Sequence, residues 1–174
     1  KNLNILIGSG VSYPAIPLMS FFSKDEKGMP VSKEVANTNL ENHIWKVSYF
    51  LLLNHNDRIK YFVETMDKKT LYSIDYYNEL KNFIALEYNI DYVLERYVKF
   101  LEKSITLLYT SNSRTVSKSV NIFTTNYDLF IESSLDLLMK NGYKVIRFPL
   151  NGTWIDIGNP QEYQKAKELA KQLK

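Results

Sequence analysis

The distribution of apolar residues first predicts two short buried strands that lie far apart along the chain. The apolar run Leu3–Ile7 ends at the small residues Gly8–Gly10, and the run Val120–Phe123 ends at the polar residues Thr124–Asn126. Continuous apolar runs bounded by turn-forming residues are typical of parallel strands that are buried on both faces. We therefore expect both runs to belong to one mainly parallel sheet.

A helical region is predicted between the two strands, from residue 39 to residue 109. Apolar side chains in its last part recur every three or four positions and predict one face of a long amphipathic helix, formed by Leu94, Val98, Leu101, Ile105 and Leu108. Asp91 is a suitable N-cap for this helix. Residues 45–66 indicate one or two further helices, whereas three prolines between residues 14 and 30 predict irregular structure.

The remaining elements complete an alternating order of strands and helices. After a Ser/Thr/Lys-rich linker at residues 111–119, helical periodicity returns over Leu129–Met139 and stops at Asn141-Gly142. Lys144–Phe148 is predicted as a third strand, and Pro160–Lys174 as a terminal helix with proline in its first turn. This order predicts an α/β fold with a mainly parallel sheet flanked by helices, and with a helical insert between the first two strands.

Composition excludes several classes of site. The 174 residues suffice for one domain with a core, and 45% apolar with 24% charged residues is typical of globular proteins. The absence of cysteine excludes disulfides, zinc–cysteine sites and thiol nucleophiles. No run of about 18 apolar residues and no basic-then-apolar leader is present, so we expect no membrane span, no signal peptide and a cytoplasmic location. The lysines are scattered despite a net charge of +3, so nucleic acid is not an expected partner.

The residues after the first strand are suited to a phosphate group. In open α/β sheets, ligands bind outside the carboxyl ends of the strands. Gly8, Ser9 and Gly10 lie at such an end, and glycine has no β-carbon to keep a ligand away from the backbone. A tight turn without a ligand explains the same residues, because Tyr13 replaces the third glycine of the dinucleotide fingerprint. No second strand with a terminal acidic residue follows, so a standard dehydrogenase is not expected.

Polar side chains follow the second strand. Thr124, Thr125, Asn126 and Asp128 offer two hydroxyls, an amide and a carboxylate within five residues. Such directional groups suit ribose hydroxyls or a positioned water molecule. The alternative is structural, with Asp128 or Thr125 capping the helix that follows.

Together, the two motifs resemble those of the sirtuin (silent information regulator-like) superfamily. Gly8-Ser9-Gly10-Val11-Ser12, followed by Ala15-Ile16-Pro17, is similar to the Gly-Ala-Gly-x-Ser and Gly-Ile-Pro elements of that family. The Thr-Thr-Asn-Tyr-Asp core within residues 120–132 resembles the second signature of sirtuin-like domains in bacterial anti-phage defence proteins. Deacetylating sirtuins have Thr-Gln-Asn-Ile-Asp there. The resemblance covers about residues 3–132, and it predicts a first domain over residues 1–132.

The resemblance implies a Rossmann-like domain that binds NAD, which the defence-associated branch hydrolyses to ADP-ribose and nicotinamide. Four residues of the first motif would contact the diphosphate and the adjacent ribose: Gly8, Ser9, Gly10 and Ser12. Three more would lie beside the nicotinamide: Ala15, Ile16 and Pro17. In the second motif, Asn126 would hold the nicotinamide ribose or the attacking water, and Asp128 would support it. Thr124 and Thr125 would complete the binding residues.

Two departures from the family pattern bear on turnover. Ala15 stands where the family usually has glycine. The family also carries a catalytic histidine in a downstream His-Gly element, whereas no histidine follows His55 here. The nearest similar pair is Asn151-Gly152, and asparagine cannot serve as a general base. His43 and His55 lie in the helical insert, where we expect surface or partly buried positions. The expectation is therefore an NAD site with reduced turnover or none.

The C-terminal residues look like the final segment of sugar-phosphate nucleotidyltransferases. Residues 137–173 contain a predicted strand, a Trp-x-Asp-x-Gly turn and a helix that begins Pro-x-x-Tyr, and they predict a second segment over residues 133–174 packed on the same domain. That family's aspartate helps to hold magnesium, which implies a metal-binding role for Asp156. A turn with a helix cap is the alternative, and the family's glycine-rich nucleotide loop is absent from the sequence.

The two resemblances leave three hypotheses for function. A natural fusion, an internal deletion or missing segments could each join the front of one family to the end of another. The leading hypothesis is an NAD-binding protein of the sirtuin-like type, and the second is a nucleotidyltransferase-related protein acting on a sugar phosphate. The third is a non-catalytic interaction module whose site is completed by a protein partner or a second copy of the chain.

Overall fold

A computed structural model describes residues 2–25, 27–67, 70, 73–110, 118–146 and 160–172. The elements in chain order are strand β1 (Asn2–Ile7), two 3₁₀ helices (Ser9–Ser12 and Met19–Ser23), helices α1 (Lys33–Leu52), α2 (His55–Thr65) and α3 (Ile74–Thr110), strand β2 (Ser119–Thr124), and helices α4 (Phe130–Lys140) and α5 (Pro160–Gln172). The predicted mixture of helices and strands is confirmed. The chain divides into two compact units, Lys1–Lys144 and Val145–Lys174, of which the second contains α5. The boundary proposed at residue 132 stays a prediction.

The two predicted strands pair in parallel and in register. Ile7 is the partner of Thr124, so the carboxyl ends of β1 and β2 lie side by side. Ile5, Ile7 and Ile122 face the core, whereas Leu6 and Phe123 lie on the opposite face and are 77% and 57% exposed. Within the described part of the chain the sheet therefore has two strands and one exposed face, which is smaller than the sheet expected from the sequence.

The third predicted strand and the predicted metal ligand lie largely outside the described residues. Residues 144–146 belong to no strand, and Arg147 and Phe148 are not among the described residues. The same holds for Trp154 and Asp156, and for most of the predicted linker. The terminal helix α5 is confirmed in its predicted place.

The core of the first unit lies between the inner face of the sheet and helices α1, α3 and α4. It contains eleven buried apolar residues: Ile7, Ala15, Ile16, Val47, Phe50, Phe83, Ile90, Val93, Tyr97, Phe130 and Ile131. Aromatic rings connect the helices, because Phe83 stacks on Phe62 with ring centroids 4.5 Å apart and meets Phe50 edge-on at 6.0 Å. Close packing of this kind fixes the position of α3 against α1 and α2.

Helix α3 is longer than predicted and is rotated slightly from the predicted face. It continues N-terminally to Ile74 because residues 74–90 contain no proline or glycine and bury side chains of their own. The prediction that Asp91 caps this helix is therefore wrong: it lies within α3 and pairs with Arg58 at 2.9 Å. The buried face comprises Phe83, Glu87, Ile90, Val93, Tyr97, Leu101, Ser104 and Leu108.

The end of α4 confirms the stop signal predicted from Asn141-Gly142. Gly142 has a φ of +87°, a left-handed conformation that favours glycine. Its N–H donates to the carbonyl of Met139, and the N–H of Tyr143 donates to that of Leu138, both at 3.0 Å. These two bonds satisfy carbonyls that the last turn of the helix leaves unpaired. No helix among the described residues is long and apolar enough to cross a membrane.

Candidate functional site

The parallel register brings the two predicted motifs together at one edge of the sheet. The side-chain nitrogen of Asn126, just beyond β2, lies 3.3 Å from the carbonyl oxygen of Gly8, just beyond β1. The same nitrogen is 3.4 Å from the hydroxyl of Ser12. Ser12 is fully buried and donates to the carboxylate of Asp128 at 2.8 Å. Two residues of the first motif and two of the second, more than a hundred positions apart in the sequence, thus form one hydrogen-bonded cluster.

Tyr97, from the middle of α3, joins this cluster and was not predicted from the sequence. Its hydroxyl lies 3.0 Å from the Ser12 hydroxyl and 3.4 Å from the Asn126 nitrogen. Its ring is 2% exposed and stacks on Phe130, with centroids 5.6 Å apart. A tyrosine on the apolar face of a helix was the available signal, because a buried phenol needs a hydrogen-bond partner.

Burial raises the pKa of Tyr97 above its usual value of 10.0, and the nearby Asp128 carboxylate adds to this effect. The phenol is therefore neutral throughout the physiological range and retains its hydrogen as a donor. Since Ser12 has one hydrogen and gives it to Asp128, the hydrogen between Ser12 and Tyr97 belongs to Tyr97.

The amide of Asn126 is oriented by its surroundings. The carbonyl of Gly8 only accepts hydrogen bonds, so the amide nitrogen, and not the oxygen, must point towards it. The oxygen Oδ1 is consequently left on the other side, where it is buried and accepts no hydrogen bond from any described residue. A buried acceptor without a donor costs free energy, on the order of 1–3 kcal/mol. Among the buried side-chain oxygens and nitrogens of the cluster residues, this oxygen alone has no hydrogen-bond partner within the described part of the chain.

Asp128 has both carboxylate oxygens engaged inside the protein. Oδ2 accepts from Ser12 at 2.8 Å, and Oδ1 accepts from the backbone N–H of Phe130 at 3.2 Å. The second bond reaches the first residue of α4, but the N-cap of this helix is Leu129, which makes no side-chain capping bond, so neither Asp128 nor Thr125 is the N-cap of the structural alternative. Asp128 thus holds Ser12 and the first turn of α4 instead of facing outward.

The Gly8–Gly10 turn lies open beside the cluster. All three residues are exposed, and a β-carbon added to Gly8 or Gly10 would meet no atom within 4 Å. Val11 donates to the Gly8 carbonyl at 3.2 Å, so the N–H groups of Ser9 and Gly10 precede the first closed turn and have no acceptor within it. The turn therefore offers backbone donors and open space, and its glycines are not needed for packing.

The other predicted site residues lie around this cluster at different depths. Thr124 accepts the backbone N–H of Asn126 at 2.9 Å, which shapes the bend after β2, whereas Thr125 is exposed. Ala15 and Ile16 are buried in the core, so their side chains are not on the open side. Pro17 is half-buried.

Neither histidine contacts the cluster. The Nε2 atom of His43 donates to the carbonyl oxygen of Ala15 at 2.8 Å and so holds the segment after the glycine turn against α1. His55 is an exposed residue that pairs with Glu87 at 2.7 Å, between α2 and α3. No group of three or more His, Asp or Glu side chains in the described ranges could hold a metal ion.

Replacing His43 by alanine is expected to destabilise the protein by about 1 kcal/mol at pH 8, because the Ala15 carbonyl loses its donor. Burial lowers the pKa of His43 below 6.5, so the folded protein takes up this proton less readily than the unfolded chain. The wild type should therefore lose stability as the pH falls from about 6.5 through the lowered pKa, and the variant should lack this loss. Urea unfolding at pH 8 and pH 5 measures both effects. An equal difference at the two pH values would contradict the prediction.

In comparisons with known proteins, no protein-family model, no curated protein and no solved structure matches the chain. The sirtuin-like and nucleotidyltransferase resemblances thus rest on the quoted motifs alone. The cluster of Gly8, Ser12, Tyr97, Asn126 and Asp128 is the candidate functional site on its geometry.

Proposed function

We propose that the chain is a Rossmann-like, sirtuin-like nucleotide-binding protein that takes NAD or ADP-ribose at the carboxyl ends of β1 and β2. The observation that carries the proposal is the unpaired, buried Oδ1 atom of Asn126 beside an open glycine turn. The glycine turn belongs to the first motif of the sirtuin resemblance, and the Asn126 amide belongs to the second. A bacterial anti-phage setting follows from the same resemblance and belongs to the proposal.

The groups present are compatible with such a nucleotide. The open N–H groups of Ser9 and Gly10 suit a diphosphate, because glycine lets the phosphate oxygens approach the backbone. The Asn126 Oδ1 atom needs a donor, and a ribose hydroxyl or a water molecule is one. Because this oxygen is covered in the structure, a donor reaches it only when the covering atoms shift. We assign phosphate binding to the turn and ribose or water binding to Asn126.

Hydrolysis of NAD would cleave the bond between nicotinamide and ribose, with water as the nucleophile. Asn126 can orient the ribose or the water. Holding two reacting groups in the correct geometry can by itself supply a large part of a rate enhancement. The carboxylate of the cluster, Asp128, is occupied by Ser12 and Phe130. Within the described residues no outward-facing general base lies in this cluster, so we expect slow turnover beside measurable binding.

Titration calorimetry with NAD and with ADP-ribose tests the proposal. We expect saturable binding of at least one of them, and the Asn126→Ala variant should bind about 5–100-fold more weakly, since it loses the amide that fixes the ligand. The matched control is Asn121→Ala, because Asn121 is a strand asparagine that bonds to Asn4 away from the site. Absence of binding at millimolar concentration would reject the proposal. Chromatographic measurement of released nicotinamide then distinguishes an enzyme from a binding protein.

A further inference from the structure

The helical insert contributes one side chain to the candidate site, and its position suggests a function beyond packing. Tyr97 lies near the middle of α3, about 30 residues before Asn126, yet its hydroxyl touches both Asn126 and Ser12. No other α3 side chain among the described residues has a hydrogen bond to the two strand-end motifs. The insert is therefore connected to the site through this hydroxyl.

The hydrogen bonds of the cluster run in one direction. Asn126 donates to Tyr97, Tyr97 donates to Ser12, and Ser12 donates to Asp128, which accepts only. Each hydroxyl uses its single hydrogen: if Ser12 donated to Tyr97 instead, the Asp128 carboxylate would lose its donor and face a second acceptor. The carboxylate thus sets the direction of the series, and its outcome agrees with the Gly8 carbonyl, which also requires the NH₂ end of the Asn126 amide to point inward. The bond from Ser12 to the Asp128 carboxylate is charge-assisted, and it polarises the neutral hydrogen bonds that precede it in the series.

We propose that Tyr97 is a positioning residue that, together with the Gly8 carbonyl, holds the NH₂ end of the Asn126 amide inward and so leaves Oδ1 as the end that meets the ligand. The inference rests on the proposed function for its ligand. It also assigns a role in the site to the helical insert, which lies outside both motifs. The aromatic ring of Tyr97 packs against Phe130 in the core, whereas its hydroxyl orients the Asn126 amide.

Tyr97→Phe separates these two roles, because it keeps the stacked ring and removes the hydroxyl. ADP-ribose should bind about 2–12-fold more weakly to this variant by calorimetry. In the Asn126→Ala background the same change should alter affinity by less than about twofold, since the group that it positions is gone. Tyr88→Phe is the control, because Tyr88 is an exposed tyrosine of the same helix. Its affinity should equal that of the wild type.

A second measurement tests the inference without any ligand. In nitrogen-15 NMR spectra, the side-chain amide of Asn126 is assigned as the signal that Asn126→Ala lacks. We expect Tyr97→Phe to shift both of its proton resonances and to speed their exchange with water, whereas Tyr88→Phe should change neither. Thermal unfolding of each variant reports any general loss of stability.

The outcomes are distinguishable. An altered Asn126 amide signal together with weaker binding supports the inference. An unchanged amide signal overturns it, and so does an unchanged affinity in Tyr97→Phe when the wild type binds the nucleotide. If no nucleotide binds but the amide signal changes as expected, the proposed function is rejected. The inference that the Tyr97 hydroxyl orients the Asn126 amide is then still supported.

Discussion

Replacing Arg58 by alanine is expected to lower the free energy of unfolding by about 1.5–3 kcal/mol. Arg58 is 6% exposed, and its Nε atom donates to the backbone carbonyl of Phe50 at 2.8 Å. The guanidinium also bonds Asp91 at 2.9 Å and lies 3.6 Å from Glu87, itself 8% exposed. Without the arginine, the Phe50 carbonyl loses its donor and the buried Glu87 loses a nearby cation, although Glu87 keeps His55 at 2.7 Å and the Asp91 side chain is 62% exposed.

Chemical denaturation monitored by circular dichroism measures this loss. Lys60→Ala is the matched control, because Lys60 is on the same helix but pairs with Glu64 at 3.9 Å on the exposed surface. Its expected cost is below about 0.5 kcal/mol. A cost below about 1 kcal/mol for Arg58→Ala would show that the buried cluster between α2 and α3 contributes little to stability.

Replacing Gly10 by valine is expected to weaken ADP-ribose binding about 5–150-fold while leaving the free energy of unfolding nearly unchanged. The first part follows from the proposed function, since a branched side chain would fill the space in which phosphate oxygens approach the backbone. The second part follows from the structure, because a β-carbon at Gly10 meets no protein atom within 4 Å and the backbone there is not left-handed. Gly10→Ala should show a smaller effect in the same direction.

Gly142→Ala provides the opposite control. Gly142 has a φ of +87°, so an alanine there is strained, and we expect a loss of about 1–2 kcal/mol in stability with no change in nucleotide affinity. Calorimetry and urea unfolding on the two variants should give opposite results. Gly10→Val should lower affinity but not stability, and Gly142→Ala should lower stability but not affinity. Equal affinity of Gly10→Val and wild type would remove the turn from the binding site.

The convergence of the two motifs could be predicted from the sequence because it depends on simple rules. Apolar runs indicated β1 and β2, and parallel pairing brings their carboxyl ends together. The stop at Gly142 was equally predictable, because few residues adopt a left-handed helix cap. Both features are local or follow from strand direction alone.

Long-range choices of partner were not predictable in the same way. Aspartate is a common N-cap residue, yet Asp91 lies within the continuous helix α3. There it pairs with Arg58 of α2, which is 33 positions away in the sequence. The position of Tyr97 does not follow from the sequence, because helical periodicity predicts the width of the buried face but not its rotation about the helix axis. A shift of one residue brings Tyr97 to the centre of that face. Which polar group a buried side chain meets depends on packing that the pattern does not contain.

The open space over Gly8 and Gly10 also has a consequence for how these positions tolerate variation. A library randomised at both positions and sorted for folding alone should accept many side chains, because the fold makes no use of the missing β-carbons. The same library sorted for capture of ADP-ribose should return glycine. At each position, the frequency of glycine after sorting for ADP-ribose capture, divided by its frequency after sorting for folding, measures how strongly the ligand selects for glycine.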